Sequence, residues 1–196
     1  MAERMSFQTY DGGSIPTSPL QFKVKECKWS DAVQIYKLFH YKTDHIGGDI
    51  KFNLGLYWKD TLIGAATFGP PRHQKKHEGL LDLRRFCCVD KAPKNTESYF
   101  LAKCMWWLKK NYKEVKGILT FADKTVGHVG TIYKATGFTL LGETGKSKYV
   151  MWGDKRYHMR SLTIDRPYSY RLREAIKTGE AEVKTGKPKL IYVKEF

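Results

Sequence analysis

The chain has 196 residues, of which 41% are hydrophobic and 14% aromatic, and its formal net charge is +15 at pH 7. This composition favours a folded domain with its own core and excludes a disordered chain. The large positive charge predicts a polyanionic partner, most simply nucleic acid. No apolar run reaches the length of a membrane span and the N-terminus has no signal-peptide core, so we expect a soluble, cytoplasmic protein without a membrane partner.

The cysteines point to the same compartment. They show no paired metal-ligand spacing, and two of them are adjacent, so that they would point to opposite faces of a strand. We therefore expect reduced, mostly buried thiols, and the residues concerned are Cys27, Cys87, Cys88 and Cys104.

The first part of the chain predicts an arm, a strand, a helix and a hairpin. Gly, Pro and Ser mark the arm, alternating apolar residues mark the strands, and a 3.6-residue stripe marks the helix. The predicted elements are an arm over residues 1–20, a strand over Gln21–Trp29, a helix capped by Ser30 and ending near Tyr41, and strands Ile50–Trp58 and Thr61–Phe68 joined at Lys59-Asp60.

The central stretch predicts a strand that leads through a basic turn into a helix. Leu80–Val89 is apolar and β-favouring, Asn95 or Thr96 can cap the next helix, and Tyr99–Asn111 is amphipathic. The first amides of such a helix are unpaired and lie at the positive end of its dipole, which suits an anion. A phosphorylated ligand is the functional interpretation, and a helix end satisfied by water is the alternative.

Within the predicted strand, two adjacent arginines would point to opposite faces. In regular alternation, Arg85 would share a face with Leu83 and Cys87, whereas Arg84 would share the other face with Phe86 and Cys88. One arginine therefore lies among apolar neighbours, and a buried guanidinium needs an anionic partner.

The remaining elements complete an α/β order. They are a strand over Lys116–Ala122 that ends at Asp123, a helix from about Val126 to Thr136 stopped by Gly137, an antiparallel pair Phe138–Gly142 and Ser147–Trp152, a short helix near Tyr170–Ile176, and a last strand over Leu190–Val193. Hairpins followed by a strand–helix–strand unit predict a mixed sheet with helices on both faces.

This order, with the ending Tyr133-Lys134-Ala135-Thr136-Gly137-Phe138, resembles the GNAT acyltransferase superfamily. The resemblance implies a splayed central sheet that holds acetyl-coenzyme A between its fourth and fifth strands, with the pyrophosphate on the turn before the next helix. A tyrosine on the following helix often protonates the leaving thiolate in that superfamily. The usual Gln/Arg-x-x-Gly-x-Gly/Ala turn is replaced here by Lys91–Thr96.

Four separated blocks resemble the Mom family of phage DNA-modification proteins more closely. They are Leu83–Val89, Pro93–Ser98, Phe121–Lys124 and Gly127–Tyr133, within a similarity that covers about residues 35–162. The resemblance implies conversion of adenine in duplex DNA to N6-carbamoylmethyladenine with acetyl-CoA, which protects phage DNA from host restriction. It also implies residues 21–162 as the GNAT-like catalytic domain, after the arm, and residues 163–196 as a basic C-terminal extension packed on it.

The resemblance assigns roles to individual positions. The implied catalytic residues are Arg85, Asp123 and Tyr133, where Arg85 and Asp123 line the cleft, Asp123 receives a proton from or orients the exocyclic amine, and Tyr133 transfers a proton. Coenzyme contacts are implied for Cys88, Val89, Lys94, Asn95, Thr96, Glu97 and Ser98. Tyr41 and Tyr133 are the candidates for an iron site. A structural Arg85–Asp123 ion pair, a core aromatic at Tyr133 and a plain first-turn residue at Ser98 remain the alternatives.

Two basic segments are predicted to contact DNA. Arg72, Lys75 and Lys76 lie in a loop between strands and suit the phosphate backbone. Arg156, His158 and Arg160 lie in the segment Gly153–Arg160, which combines cations with an aromatic and a histidine. This combination suits a surface that grips DNA and stacks on an extruded base. A plain solvated basic tail is the alternative interpretation.

Three functions stay open on the sequence. The first is the adenine-modifying enzyme, the second a GNAT N-acetyltransferase acting on an amine of a modified base or a protein, and the third a non-catalytic basic DNA-binding protein. The oligomeric state is equally open, with a homodimer as one option.

Overall fold

The computed structural model describes residues 16–40, 49–72 and 74–196. Four α-helices occur in these ranges: α1 (Trp29–Phe39), α2 (Thr96–Asn111), α3 (Thr131–Ala135) and α4 (Pro167–Lys177). The strands are β1 (Lys23–Glu26), β2 (Phe52–Trp58), β3 (Thr61–Gly69), β4 (Leu80–Cys88), β5 (Gly117–Asp123), β6 (Thr139–Glu143), β7 (Lys148–Trp152), β8 (Lys155–His158), β9 (Ala181–Thr185) and β10 (Lys189–Glu195). None of the described helices is long and apolar enough to cross a membrane.

Seven strands form a mixed sheet in the order β1-β2-β3-β4-β5-β10-β6, and three form a second sheet in the order β8-β7-β9. Neighbours from β1 to β4 are antiparallel, whereas β4 and β5 are parallel. The chain divides into two compact units. Unit 1 comprises residues 1–121, 130–140 and 192–196, and unit 2 comprises residues 122–129 and 141–191. The predicted division at residues 20 and 162 stays a prediction.

The two parallel strands diverge soon after they begin. Leu80–Asp82 of β4 pair with Gly117–Leu119 of β5, and both strands then continue beyond the paired residues described. Just past this point the Thr120 hydroxyl lies 3.5 Å from the carbonyl oxygen of Leu83. The predicted splayed sheet is therefore confirmed, and the divergence opens the middle of the sheet.

A β-bulge interrupts β4 opposite β3. Phe68 pairs with Leu83 and Thr67 with Arg85, so Arg84 is the additional residue. Because Phe68 and Thr67 point to opposite faces, Leu83 and Arg85 do so as well. The prediction that Arg85 shares a face with Leu83 was therefore wrong, since strict alternation does not survive a bulge, although Arg85 does share the face of Cys87.

Helices cover both faces of this sheet, as predicted. On one face, Tyr36 and Ile35 of α1 cluster with Ala65 and Cys87. On the other, the ring of Phe86 stacks on that of Phe100 in α2 with centroids 5.2 Å apart. Adjacent strand residues point in opposite directions, so the two helices lie on opposite faces.

Two sequence predictions are corrected at element level. Helix α1 begins at Trp29 with Lys28 at its N-cap, not after Ser30. The helix predicted over residues 126–136 reduces to a 3-10 turn and the five-residue α3, because Gly127 and Gly130 both adopt left-handed backbone conformations that interrupt a helix. Tyr41 lies outside the described residues.

The predicted pairing of β6 with β7 was also wrong. Strand β6 lies beside β10 at the edge of the central sheet, whereas β7 is the middle strand of the second sheet. Local pairing was assumed from proximity in sequence, but the amide of Thr144 donates to the carbonyl of Lys189, 45 residues away. The hairpin at Lys59-Asp60 and the left-handed stop at Gly137 are confirmed.

A buried hydrogen-bonded chain ties α1 to the sheet. The Thr67 hydroxyl donates to Oδ1 of Asn53 at 2.8 Å, and since it has a single proton, Tyr36 donates its own to Thr67 at 2.8 Å. Thr67 is fully buried. The Tyr36 hydroxyl thus donates to Thr67, which in turn donates to Asn53.

We expect Thr67→Val to destabilise the protein by about 1–3 kcal/mol, because the isosteric change leaves the Tyr36 hydroxyl and the Asn53 carbonyl buried without this partner. Urea denaturation followed by circular dichroism measures the loss. Thr61→Val, at an exposed position of the same strand, is the matched control. Equal midpoints for the two variants would contradict the role of this chain of bonds.

Candidate active site

Helix α2 begins at the turn that sequence analysis selected. Asn95 occupies the N-cap position with φ of +68°, in the left-handed region, and among the described residues no side chain forms a capping hydrogen bond. The hydroxyls of Thr96 and Ser98 instead donate backward, to the carbonyls of Pro93 at 2.6 Å and Asn95 at 3.0 Å. The amide of Thr96 also donates to the Pro93 carbonyl, at 3.2 Å, so the amides of Glu97 and Ser98, at the positive end of the helix dipole, are the ones suited to an external acceptor.

Two cations and two carboxylates lie around this helix start, and Asp90 is the exposed carboxylate just before the turn. Lys91 and Lys94 are exposed and flank the turn, while Glu97 is an exposed carboxylate in the first helical turn. An anion held by the amides of residues 97 and 98 would therefore lie near the exposed Lys91 and Lys94. Lys94, Asn95, Thr96, Glu97 and Ser98 lie together as predicted, and their contact with a coenzyme stays a prediction.

The residues before the turn are engaged within the protein. The amide of Val89 donates to the carbonyl of Ile63 at 2.9 Å, and its carbonyl accepts from Ala92 at 3.2 Å. Cys88 is 8% exposed, and burial raises the pKa of its thiol well above the ordinary value. Cys88 and Val89 therefore pack next to the turn. We expect polar contacts with a ligand to come from residues later in the chain.

Tyr133 lies on α3, which packs against α2. Its phenol is hydrogen-bonded with Thr120, which is the β5 residue just past the divergence of the strands. Burial raises the pKa of Tyr133, the negative charges of Asp82 and Glu97 raise it further, and the bond with Thr120 acts in the opposite direction. The net shift is upward, so the phenol is protonated at neutral pH and is suited to give up a proton rather than to receive one.

Two residues that sequence analysis overlooked hold this tyrosine in place. The ring of Tyr192, 1% exposed, packs on that of Tyr133 with centroids 5.3 Å apart. Gly130 makes this packing possible, because a Cβ there would lie 2.3 Å from the Tyr192 ring. Sequence analysis did not predict that Tyr192, from the last strand, approaches Gly130. No local sequence signal connects residues 130 and 192.

Arg84 and Arg85 lie side by side at the bulge and are half-buried. Arg84 donates through Nη2 to the carbonyl of Pro70 at 2.8 Å, and Arg85 donates through Nη1 to the carbonyl of Arg84 at 3.1 Å. A Cβ at Gly69 would lie 2.5 Å from Nε of Arg84, so this glycine admits the guanidinium. Arg85 carries its charge on the face of the sheet that α1 covers.

Asp123 ends β5 and belongs to unit 2. The amide of Thr125 donates to Oδ1 at 3.0 Å, and Nζ of Lys189 lies 3.4 Å from Oδ2. Burial alone raises the pKa of Asp123, but the hydrogen bonds from Thr125 and the charge of Lys189 outweigh it, so its pKa lies below the ordinary value. Asp123 is therefore a stable carboxylate, better suited to orient a donor than to take up a proton. The Arg85–Asp123 pair stays a prediction.

The donor set gives no support for iron. Among the described residues, no group of three His, Cys, Asp or Glu side chains is placed to hold a metal. Tyrosine binds iron as phenolate, whereas the raised pKa of Tyr133 favours its protonated form. Its predicted partner Tyr41 lies outside the described residues.

The basic residues form two separate surfaces. Arg72, Lys75 and Lys76 are exposed around a 3-10 turn, and Lys76 lines an open groove of about 600 Å³ with Lys109, Lys113 and Lys116. This groove lies at the C-terminal end of α2, whose 16 residues span about 24 Å. The predicted loop contact is therefore far from the N-terminal end of the helix.

The second basic surface lies on unit 2. Arg156 and His158 are exposed on β8, and Arg160 is exposed in the 3-10 turn that follows. The aromatic of this segment, Tyr157, instead packs inward, with Trp152, on the core formed by Val150 and α4. The prediction of a stacking aromatic within residues 153–160 therefore does not hold for Tyr157.

Solved structures with this fold are GNAT acetyltransferases. The ribosomal-protein-S18-alanine N-acetyltransferase of Escherichia coli has a TM-score of 0.54 at 9% identity, over 89% of this chain and 93% of that one. The ribosomal-protein-S5-alanine acetyltransferase of Vibrio fischeri has a TM-score of 0.52 at 12% identity, over 94% and 97%. A Bacillus subtilis acetyltransferase in complex with CoA has a TM-score of 0.50 at 10% identity, over 90% and 98%. The fold is thus GNAT-like.

Sequence comparison defines the family within that fold. The model of the Mom protein family matches residues 21–193, so the chain belongs to the Mom protein family. The methylcarbamoylase mom of Escherichia phage Mu is 22% identical over 166 residues, which are 80% of this chain and 68% of the phage Mu protein. Both the family match and the fold confirm the resemblance seen in the sequence.

The lowered pKa of Asp123 predicts an acid-dependent contribution to stability. Its interactions stabilise the folded state at pH values above the unfolded-state pKa near 4, and they are lost as the pH falls through the lower pKa of the folded state. We therefore expect the urea midpoint of the parent protein to fall more between about pH 6 and pH 3 than that of Asp123→Asn. Asp154→Asn, an exposed carboxyl in the β7–β8 turn, is the control. Parallel pH curves for the Asp123 variant and its parent would contradict this prediction.

Proposed function

We propose that this protein is a phage DNA-modification enzyme that uses acetyl-CoA to convert adenine in duplex DNA to N6-carbamoylmethyladenine and so protects the DNA from host restriction. Its membership of the Mom family supports the reaction class, and the phage Mu relative is a methylcarbamoylase. The observation that carries the proposal is the position of Tyr133, a protonated phenol in unit 1 near both the start of α2 and the gap between β4 and β5.

The residues fit a coenzyme in this position. The uncapped start of α2 suits a pyrophosphate, with Lys91 and Lys94 beside it. The diverging β4 and β5 suit an extended chain that hydrogen-bonds to a strand edge. A Bacillus subtilis protein of this fold is solved in complex with CoA. Acetyl-CoA, when bound, supplies an activated acetyl thioester. The carbamoylmethyl product further requires a nitrogen donor for its amide and a two-electron oxidant that replaces a C–H bond of the acetyl methyl group by the new C–N bond.

The chain's own residues then have separate tasks. Tyr133 holds a proton at its phenol oxygen for the leaving sulfur, and Thr120 fixes the direction of that phenol. Asp123 remains ionised and orients the exocyclic amine of adenine by accepting a hydrogen bond from it. Arg85 stabilises negative charge that develops in the cleft. The adenine leaves the base stack to reach these groups.

An N-acetyltransferase acting on an amine is the second candidate, because the structures that share the fold are acetyltransferases. Simple acyl transfer joins the amine nitrogen to the carbonyl carbon of the donor, whereas a carbamoylmethyl product joins it to a methylene carbon. The two candidates therefore differ in the mass added to the base.

Mass spectrometry of nucleosides from DNA of expressing cells separates the candidates. We expect deoxyadenosine to gain the mass of an acetamide group. A gain of an acetyl group on another base or on protein would support the second candidate. No mass gain, together with retained DNA binding, would indicate a non-catalytic DNA-binding protein.

The same assay tests Tyr133. We expect Tyr133→Phe to lower the modified fraction through a loss of about 10²–10⁴ in rate, the usual contribution of a positioned proton donor. Coenzyme binding should persist, since the ring and its packing on Tyr192 are kept. Tyr168→Phe, a partly exposed tyrosine on α4, is the control. Full modification by the Tyr133 variant would remove Tyr133 from the mechanism.

Calorimetry with coenzyme A tests the start of α2. We expect Ser98→Tyr to weaken binding by about tenfold or more, or 1.4 kcal/mol, because the larger side chain covers the first amides of the helix. Ser98→Ala removes only the bond from its hydroxyl to the Asn95 carbonyl and should bind nearly as the parent does. Equal affinities of all three proteins would place the coenzyme elsewhere, and no binding by any of them would favour the non-catalytic alternative.

A further inference from the structure

The second sheet has two chemically different faces. Its inner face carries Val150, Ala181 and Tyr157, which form a core with Leu172 of α4. Because side chains alternate along a strand, the neighbours of Val150 on β7, Tyr149 and Met151, point to the opposite, outer face. Among the described residues, the core that includes Leu172 of α4 contains neither Tyr149 nor Met151.

The residues across the outer face follow from the pairing of the strands. Tyr149 lies between His158 on β8 and Lys184 on β9, and Met151 lies between Arg156 and Glu182. Residues that pair directly share a face, so these six side chains form a small array with its aromatic and thioether in the middle strand. All four flanking residues are exposed. We name this array the outer face of the second sheet.

The charges on this array are arranged for an anion beside an aromatic. The guanidinium of Arg156 lies over the Tyr149 ring, 3.8 Å from its centroid. The Glu182 carboxylate is 3.3 Å from Nζ of Lys184 and offsets part of that charge. Of the six side chains of the array, Arg156 and Lys184 are cations and Glu182 is a carboxylate, so the array has a net positive charge.

His158 adds a directed hydrogen-bond donor. Its Nδ1 accepts from the backbone amide of Arg160 at 3.0 Å, which leaves the proton of the neutral ring on Nε2. The group left to contact a ligand is therefore an N–H donor. It suits a phosphate oxygen or an acceptor on a base.

We propose that the outer face of the second sheet binds an unpaired nucleotide of DNA, with its base stacked on the face of the Tyr149 ring opposite Arg156 and its phosphates held by Arg156, His158 and Lys184. Sheets that present aromatics among cations bind single strands in this way, since every base has a π face to stack and every nucleotide a phosphate to pair. A second copy of the chain is disfavoured as occupant, because the array carries excess positive charge and would repel itself. The inference rests on the proposed DNA substrate and specifies the form of DNA that unit 2 recognises.

Fluorescence anisotropy with labelled oligonucleotides tests the stacking. The probes are a single strand, its perfect duplex and the same duplex with one unpaired adenine, without coenzyme. We expect the intact protein to prefer the two probes with unpaired bases. Tyr149→Ala should bind those two about five- to a hundredfold more weakly, as loss of a base–aromatic stack does, with a much smaller effect on the perfect duplex. Tyr149→Phe should bind as the parent does.

Tyr170→Ala is the matched control, because Tyr170 is a 62% exposed tyrosine on α4 and lies outside the array. Unchanged binding by Tyr149→Ala, or an equal loss on all three probes, would overturn base stacking. If Tyr149→Ala fails to fold, Arg156 decides the matter. Arg156→Ala should flatten the salt dependence for the single strand by about 0.7 in log–log slope, the value of one phosphate contact, whereas Arg156→Lys should retain the slope. An unchanged slope in Arg156→Ala would overturn the phosphate contact.

Two further measurements separate this inference from its rivals. Sedimentation of Tyr149→Ala should equal that of the parent protein, and a change in oligomeric state with unchanged DNA binding would identify the face as a contact between copies instead. Nucleoside mass spectrometry of the same variants reports modification separately. If Tyr149→Ala weakens DNA binding but the parent protein modifies no adenine, the result would support nucleotide binding at the outer face of the second sheet and refute the proposed reaction.

Discussion

The divergence of β4 from β5 is the constraint on which the candidate site depends. Parallel strands in a sheet normally pair along their whole length, and here the described pairing ends at Asp82 and Leu119. Each strand continues beyond that point, where the Thr120 hydroxyl bonds to the Leu83 carbonyl, so a ligand inserted between the strands would meet their two facing edges. Two features of the site are tied to these strands. Helix α2 starts at the turn after the end of β4, and Tyr133 is hydrogen-bonded to Thr120 on β5.

Protein charges tune the titrating groups of the chain in a consistent way. Burial and nearby carboxylates keep Tyr133 protonated, whereas Thr125 and Lys189 keep Asp123 ionised. Burial likewise raises the pKa of Cys87 to about 12, so that thiol is not a nucleophile at neutral pH. These environments keep Tyr133 protonated and Asp123 ionised at neutral pH, so Tyr133 can donate a proton or a hydrogen bond and Asp123 can accept a hydrogen bond. Covalent catalysis by cysteine is the alternative that they disfavour.

Local signals in the sequence were sufficient for the elements that rest on local chemistry. The hairpin at Lys59-Asp60 and the left-handed Gly137 depend on a few adjacent residues, and both were predicted. The bulge at Arg84 and the pairing of β6 with β10 depend on strands distant in sequence, and no window of residues around them contains that information. The contact of Gly130 with Tyr192 is of the same kind. Sequence reasoning therefore named Tyr133 but not the residues that hold it.

The turn before α2 shows how a different sequence reaches the same physical result. A glycine-rich turn presents amides because glycine adopts left-handed conformations at no steric cost. Here Asn95 takes that conformation, which asparagine tolerates better than most residues. Thr96 and Ser98 would compete for the helix amides if their hydroxyls accepted, but both donate to carbonyls of the turn instead. The same two hydrogen bonds thus fix the turn and leave helix amides available. The absence of a glycine-rich turn therefore does not remove the anion site.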